Sequence, residues 1–177
     1  LHTWVRILGD REIPLRLLSV LCGVLTIPLT YGLGNIVGGQ RLGLLTAFLM
    51  AVSPENVQWG QEARMYALET LALVLAMGGL AWLLAHPDAA GRSPGGRLAR
   101  SAFVVGTAAA LWTEYTALLF ALAAAVVLAC VLWTSCDSHR WGILRDWLPA
   151  YVVIGLLCVP ELGLAFRQLH GANVINW

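Results

Sequence analysis

In the run Gln61-Glu62-Ala63-Arg64-Met65-Tyr66-Ala67-Leu68, a carboxylate, a guanidinium and a phenol stand at the mouth of a very apolar segment. Holding an ionised side chain at bilayer depth is costly, so such residues usually face a protein interior or a water-filled cavity. A carboxylate can act as a general base or hold a divalent cation through hard oxygen ligands, and the arginine fork can clamp a phosphate. At 100° per residue, Glu62, Tyr66 and Glu69 share one face of a helix whose remainder is Leu, Ala, Val and Met. We read this stretch as the wall of a membrane-embedded substrate site, with Glu62 also the candidate metal ligand. Glu62 and Arg64, at i and i+2, point apart on a regular helix, so both can serve one site only from a loop or a first turn. The plainer alternative is that Glu62 sits favourably near a helix N-terminus and Arg64 pairs with it or with lipid headgroups.

Further acids sit beside apolar sequence at Glu69, Glu114 and Glu161. The elements that must carry them belong to a membrane. Of 177 residues, 59% are hydrophobic and 12% charged, with a mean hydropathy of +0.74, far from the balance of a soluble domain. All the basic residues are arginines and the net charge is +1. No lysine-rich patch argues for nucleic acid, and nucleic-acid binding is excluded from the reading. Cys22, Cys130, Cys136 and Cys158 lack metal-type spacing and read as small hydrophobes.

Hydropathy predicts an all-α fold, a polytopic bundle with an amphipathic interfacial helix over Leu1 to Arg16 and about six spans. These run from Leu17 to Val37, Leu42 to Val57 and Tyr66 to Ala85, then two short helices within Leu98 to Trp133 joined at Thr113-Glu114-Tyr115-Thr116, and last Leu148 to Phe166. Gly38-Gly39-Gln40-Arg41 separates the first two, and His86 to Arg100 reads as a surface loop. Arg41, Arg92, Arg97, Arg100, Arg140 and Arg145 fall on one side, which the positive-inside rule makes cytoplasmic. Arg6, Arg11, Arg16, Arg64 and Arg167 fall on the other, so the bias is small; most acids lie on that outer side. The chain opens at Leu1 without a signal-peptide pattern and ends soon after an apolar segment, and we expect it to be truncated at the front.

The order Trp4-Val5-Arg6-Ile7-Leu8-Gly9, Glu12, Leu15 to Leu21, Ser53-Pro54 and then the Gln61 to Leu68 run resembles the bacterial integral-membrane glycosyltransferases of the protein-mannosyltransferase-like GT-C superfamily. These are related to the aminoarabinose and rhizobial galacturonic acid transferases of lipid A. Trp112-Thr113, Tyr115-Thr116-Ala117-Leu118 and Phe166-Arg167-Gln168-Leu169 extend the resemblance over essentially the whole chain. It implies a transferase that moves a sugar from a polyprenyl-phosphate donor to a lipid, glycan or protein acceptor at the outer face of the bacterial inner membrane. It also implies a catalytic aspartate in an outer loop ahead of the segment matching Leu1, so that this chain is a central portion inactive alone. The implied binding set is Gln61, Glu62, Arg64, Tyr66, Glu114, Tyr115 and Arg167, with a divalent cation, Mg or Mn, as candidate cofactor and membrane lipid around it. Glu114 stands where relatives often have histidine, and Glu161 where they often have an aromatic residue, so a histidine-dependent role at that turn does not carry over.

Two other classes compete. A transporter or flippase of lipid-linked sugars should show internal repeats and broken helices with midplane binding residues, and no repeat is visible. A structural membrane subunit should lack a clustered polar face.

Overall fold

The structure, a computed structural model, describes residues 12–61, 66–87, 93–114, 116–134 and 147–157. Nearly all of these are α-helical, and no strand occurs among them, as the need to bond backbone groups internally in lipid requires. Among the described residues, three helices are long and apolar enough to cross a membrane, spanning Arg16–Val52, Tyr66–Ala85 and Ala117–Thr134. Of the expected interfacial helix, residues 1–11 lie outside the described residues, and its last turn continues directly into the first membrane helix.

Helix α1 (Glu12–Val52) is two arms of a hairpin, broken where Gly38 (φ −146°, ψ 19°) and Gly39 (φ 78°, ψ −176°) leave helical geometry. Gly39 is the only residue with positive φ among those described, a conformation that costs glycine nothing. The break falls where the sequence separates the first two spans. Glycines also let the arms touch. A Cβ on Gly43 would stand 2.8 Å from Tyr31 O, and one on Gly34 would stand 2.9 Å from Gly43 Cα. Thr46 Oγ1 donates across the hairpin to Thr30 O at 3.2 Å, the small-residue packing expected where lipid gives helices no hydrophobic drive to associate.

The second span ends earlier than the sequence reading has it. Pro54 disfavours helical backbone at Ser53, so α1 stops at Val52 and Val57 belongs to a separate short helix, α2 (Pro54–Gln61). Asn56 Nδ2 donates to Met50 O at 3.3 Å and so caps a carbonyl left open by the break. The third span, α3 (Tyr66–Ala85), has the bounds its hydropathy predicts.

Two corrections concern the next segment. The surface loop expected over His86 to Arg100 ends at Ser93, because α4 (Pro94–Thr113) begins there. Ser93 is its N-cap, accepting from Gly96 N at 2.9 Å, and Pro94 opens the first turn where no N–H is needed. The loop composition of Ser-Pro-Gly-Gly is thus also a helix-start signal. The helices on either side of Glu114 are not short: α4 has 20 residues and α5 (Ala117–Thr134) has 18. Of the last expected span, Trp147–Leu157 is described and helical, α6.

The core is the antiparallel pair α3 and α4. Ala72, Ala76, Gly79 and Leu83 face Ala99, Phe103, Gly106 and Ala110, all of them buried. A Cβ on Gly106 would stand 2.6 Å from Ala72 O and 2.8 Å from Ala76 N, and one on Gly79 would run into Ala99 O. Here backbone meets backbone. α1 packs on the remaining side of α3. Phe103 is fully buried and receives Trp147 and Tyr151 of α6 edge-on, with ring centres 5.5 and 5.9 Å away. α5 is held least, with Leu119 and Trp133 72% and 85% exposed.

Candidate functional site

The end of the bundle that carries the start of α3 also carries the turn between α4 and α5. Glu69 lies in the first turn of α3, where a negative charge interacts favourably with the helix dipole. It sits three residues before Ala72, at the edge of the stripe that packs on α4. Thr70 Oγ1 donates to Tyr66 O at 2.9 Å, which fixes the backbone of this turn.

Glu114 is the C-cap of α4. Its extended backbone (φ −155°, ψ 142°) ends the helix while its N–H still donates to Ala110 O at 3.0 Å. The chain then reverses within two residues, with Ala117 N donating to Glu114 O at 3.2 Å and Leu119 N to Thr116 O at 3.0 Å. Thr113 Oγ1 donates to Ala109 O at 2.6 Å and so occupies one of the last carbonyls of α4. This turn delivers two side chains to Glu69. Thr116 Oγ1 donates to Glu69 Oε1 at 3.1 Å, and Glu114 is a near neighbour of the Glu69 carboxyl.

Glu69 and Glu114 are half-buried and Thr116 is exposed, so the cluster opens on one side. Two neighbouring carboxyl groups repel when both are ionised, and a proton or a cation held by the pair relieves that. The donor set is all oxygen, as a hard divalent ion requires, but such an ion takes six or more ligands. Among the described residues no group of three or more Asp, Glu, His or Cys comes together. A cation at this pair would have to draw most of its ligands from water or from substrate oxygens.

Close by, Trp112 Nε1 donates to Leu157 O at 2.9 Å, which brings the end of α6 to the same end of the bundle. The opposite end holds Trp82, stacked on His86 with ring centres 4.7 Å apart and touching the space above Gly95. Arg97 and Arg100 lie toward that end, in the first turns of α4. Among the described residues of α3 and α4, Glu69 and Glu114 thus lie at one end and Arg97 and Arg100 at the other.

Of the binding set read from the sequence, Tyr66 and Glu114 are described together with their side chains. Tyr66 is half-buried in the first turn of α3, one turn from Glu69. Gln61 is the last residue of α2, its backbone alone described. Glu62, Arg64, Tyr115 and Arg167 lie outside the described residues, as does Glu161. The expected helical face of Glu62, Tyr66 and Glu69 is therefore seen in its last two members. Glu69 and Thr116 stand outside the binding set read from the sequence. Glu69 was visible there as an acid against an apolar flank, whereas nothing in the spacing joined it to Thr116, 47 residues away.

A family model described as dolichyl-phosphate-mannose-protein mannosyltransferase matches residues 1–163. No curated protein and no solved structure matches the chain.

Proposed function

Because the chain belongs to the dolichyl-phosphate-mannose-protein mannosyltransferase family, a family of membrane glycosyltransferases that use a lipid-linked sugar and an acceptor, we propose a specific reaction for it. The intact enzyme moves a sugar from a polyprenyl-phosphate donor to a lipid, glycan or protein acceptor at the outer face of a bacterial inner membrane, as a multi-pass GT-C enzyme, and this chain alone is inactive. The observation that carries this reading is the family match over 163 of the 177 residues. The oxygen cluster of Glu69, Glu114 and Thr116 at one end of an apolar bundle supports it.

Breaking the bond between sugar and phosphate leaves charge on the departing phosphate, which positive groups must stabilise. In this reading Arg64 and Arg167 clamp the donor phosphate, Tyr66 and Gln61 line the sugar, and Glu62 borders the same space. Glu69 and Glu114 hold a divalent cation, Mg or Mn, or share the proton that keeps the pair together. When bound, the cation neutralises phosphate charge. Thr116 holds the Glu69 carboxylate in one orientation, and Tyr115, its neighbour in sequence, contributes to substrate binding.

The test uses the intact enzyme in lipid nanodiscs with a panel of radiolabelled polyprenyl-phosphate sugars and membrane extracts as acceptor. One donor should support transfer, and Glu69→Gln or Glu114→Gln should lower turnover about 100-fold or more, a typical size for a positioned acid or base. Failure of every donor with well-folded protein, or full turnover in Glu69→Gln, refutes the assignment.

A further inference from the structure

Helix α2 carries Glu55, Asn56, Gln58 and Gln61 within eight residues, a polar helix between two apolar ones. Its height in the membrane follows from the hairpin that leads to it. Beyond the break at Gly39, the second arm of α1 consists of residues 40–52, which rise about 20 Å at 1.5 Å per residue. A hydrocarbon core is about 30 Å thick, so this arm ends about 10 Å short of the face away from the hairpin tip. α3 has no such deficit, since its 20 residues rise about 30 Å.

A contact on the first arm gives the same height independently. Asn56 lies against Gly23, where an added Cβ would stand 3.5 Å from Asn56 Oδ1. The helix between Gly23 and Gly38 rises about 22 Å. Drawing the tip into the core does not close the gap, because Gln40 and Arg41 are exposed there and a charged side chain at depth is costly. If the tip stands outside the core, α2 lies deeper still. At this height Glu55 and Gln58 are exposed, with no covering element among the described residues. A carboxylate at bilayer depth faces protein or a water-filled space in preference to lipid.

We infer that the second arm of the hairpin is a half-crossing, and that α2 completes it along an aqueous notch in the half of the membrane away from the tip. Water enters the notch from that face and reaches Glu55 and Gln58 below the hydrocarbon boundary. At the same height on the first arm, Val24 and Leu25 are apolar, 57% and 53% exposed, and meet lipid. One level of the hairpin is therefore wet along α2 and dry along the first arm. The inference is independent of any transferase activity.

Spin labels on Glu55→Cys and Val24→Cys, each the single cysteine of the intact protein in nanodiscs, test it through collisions with two reagents. Oxygen concentrates in lipid, and a nickel chelate stays in water. Both side chains are exposed, so labelling disturbs no packing; Gln58→Cys repeats the reading if the label at 55 impairs folding. Nickel collisions should dominate at 55 and oxygen collisions at 24, although the two positions stand at one height. Nickel at both would put the whole level outside the membrane, and oxygen at both would leave α2 in lipid. Weak collisions with both reagents at either position would mean that protein covers it. Each of these three results overturns the proposal.

Discussion

Gly78 and Gly79 are neighbours on α3, and alanine at the two positions should act with opposite sign. Nothing lies within 4 Å of a Cβ placed on Gly78. Alanine there gains only helix propensity, about 0.5–1 kcal/mol. At Gly79 a Cβ would meet Ala99 O and lie 2.7 Å from Phe103 N and 3.2 Å from Phe103 Cα. The nitrogen contact alone is about 0.7 Å short of the 3.4 Å at which ordinary contact begins. A radial gap of about 0.5–1 Å forfeits a quarter to a half of each dispersion contact, and the gap opens along the best-packed seam of the molecule. Overpacking of this kind costs about 1–3 kcal/mol. In thermal unfolding of the intact protein in nanodiscs, Gly78→Ala should therefore melt at or above the parent. Gly79→Ala should melt about 2–12 °C below it, at roughly 2–4 °C per kcal/mol. Because the obstacles are main-chain atoms, trimming Phe103 to leucine should not rescue Gly79→Ala. Equal shifts for the two glycines, or rescue by Phe103→Leu, would refute backbone contact as the basis of the α3–α4 seam.

The same seam predicts that Gly106→Ala is destabilising by a similar amount, again through Ala72 O and Ala76 N, and that Ala76→Gly does not restore it, as read by melting temperature. In a background with the four native cysteines replaced by alanine, a Glu69→Cys and Thr116→Cys pair should be joined by a short bifunctional maleimide, since the side-chain contact at 3.1 Å holds the two positions close; failure to join would show that the α4–α5 turn does not reach α3. Cysteines at positions 62 and 114 should react with impermeant maleimide from the same side of the membrane, whereas labelling from opposite sides would mean that the hairpin is wrongly drawn. Glu62→Gln should reduce turnover far more than the yield of folded protein, and Arg64→Lys should weaken donor binding by loss of bidentate phosphate contact; near-normal transfer in Glu62→Gln makes Glu62 a helix-end residue.

The bounds of α3 were legible because composition changes sharply at both ends, from Arg64 on one side to His86 and Pro87 on the other. The hairpin in α1 was legible from Gly38-Gly39. The early start of α4 was obscured because Ser, Pro and Gly serve both loops and helix beginnings, and only the capping bond from Gly96 N to Ser93 Oγ separates the two uses. At the site, the sequence marked Glu69 and Glu114 separately as acids beside apolar flanks. Their meeting depends on the crossing of α3 and α4, which is set by close contacts at Gly79 and Gly106. Small residues leave a weak periodic signal in a segment where every face is apolar, so the register that joins the two acids was hidden.

The main-chain contact along α3 and α4 works as the fixed jaw of a clamp. Side chains can rotate to accommodate a guest, but carbonyl and amide atoms pressed together at Gly79 and Gly106 have no spare travel, so the first turn of α3 and the last of α4 keep a constant spacing. On the proposed assignment of the site, adjustment to sugars or acceptors of different size comes from the other jaw, the end of α4 at Glu114 and the lightly held α5 behind it. Selectivity at this end of the bundle should accordingly be tuned by substitutions in α5 that touch no ligand, with the α3–α4 pair serving as the gauge against which they are set.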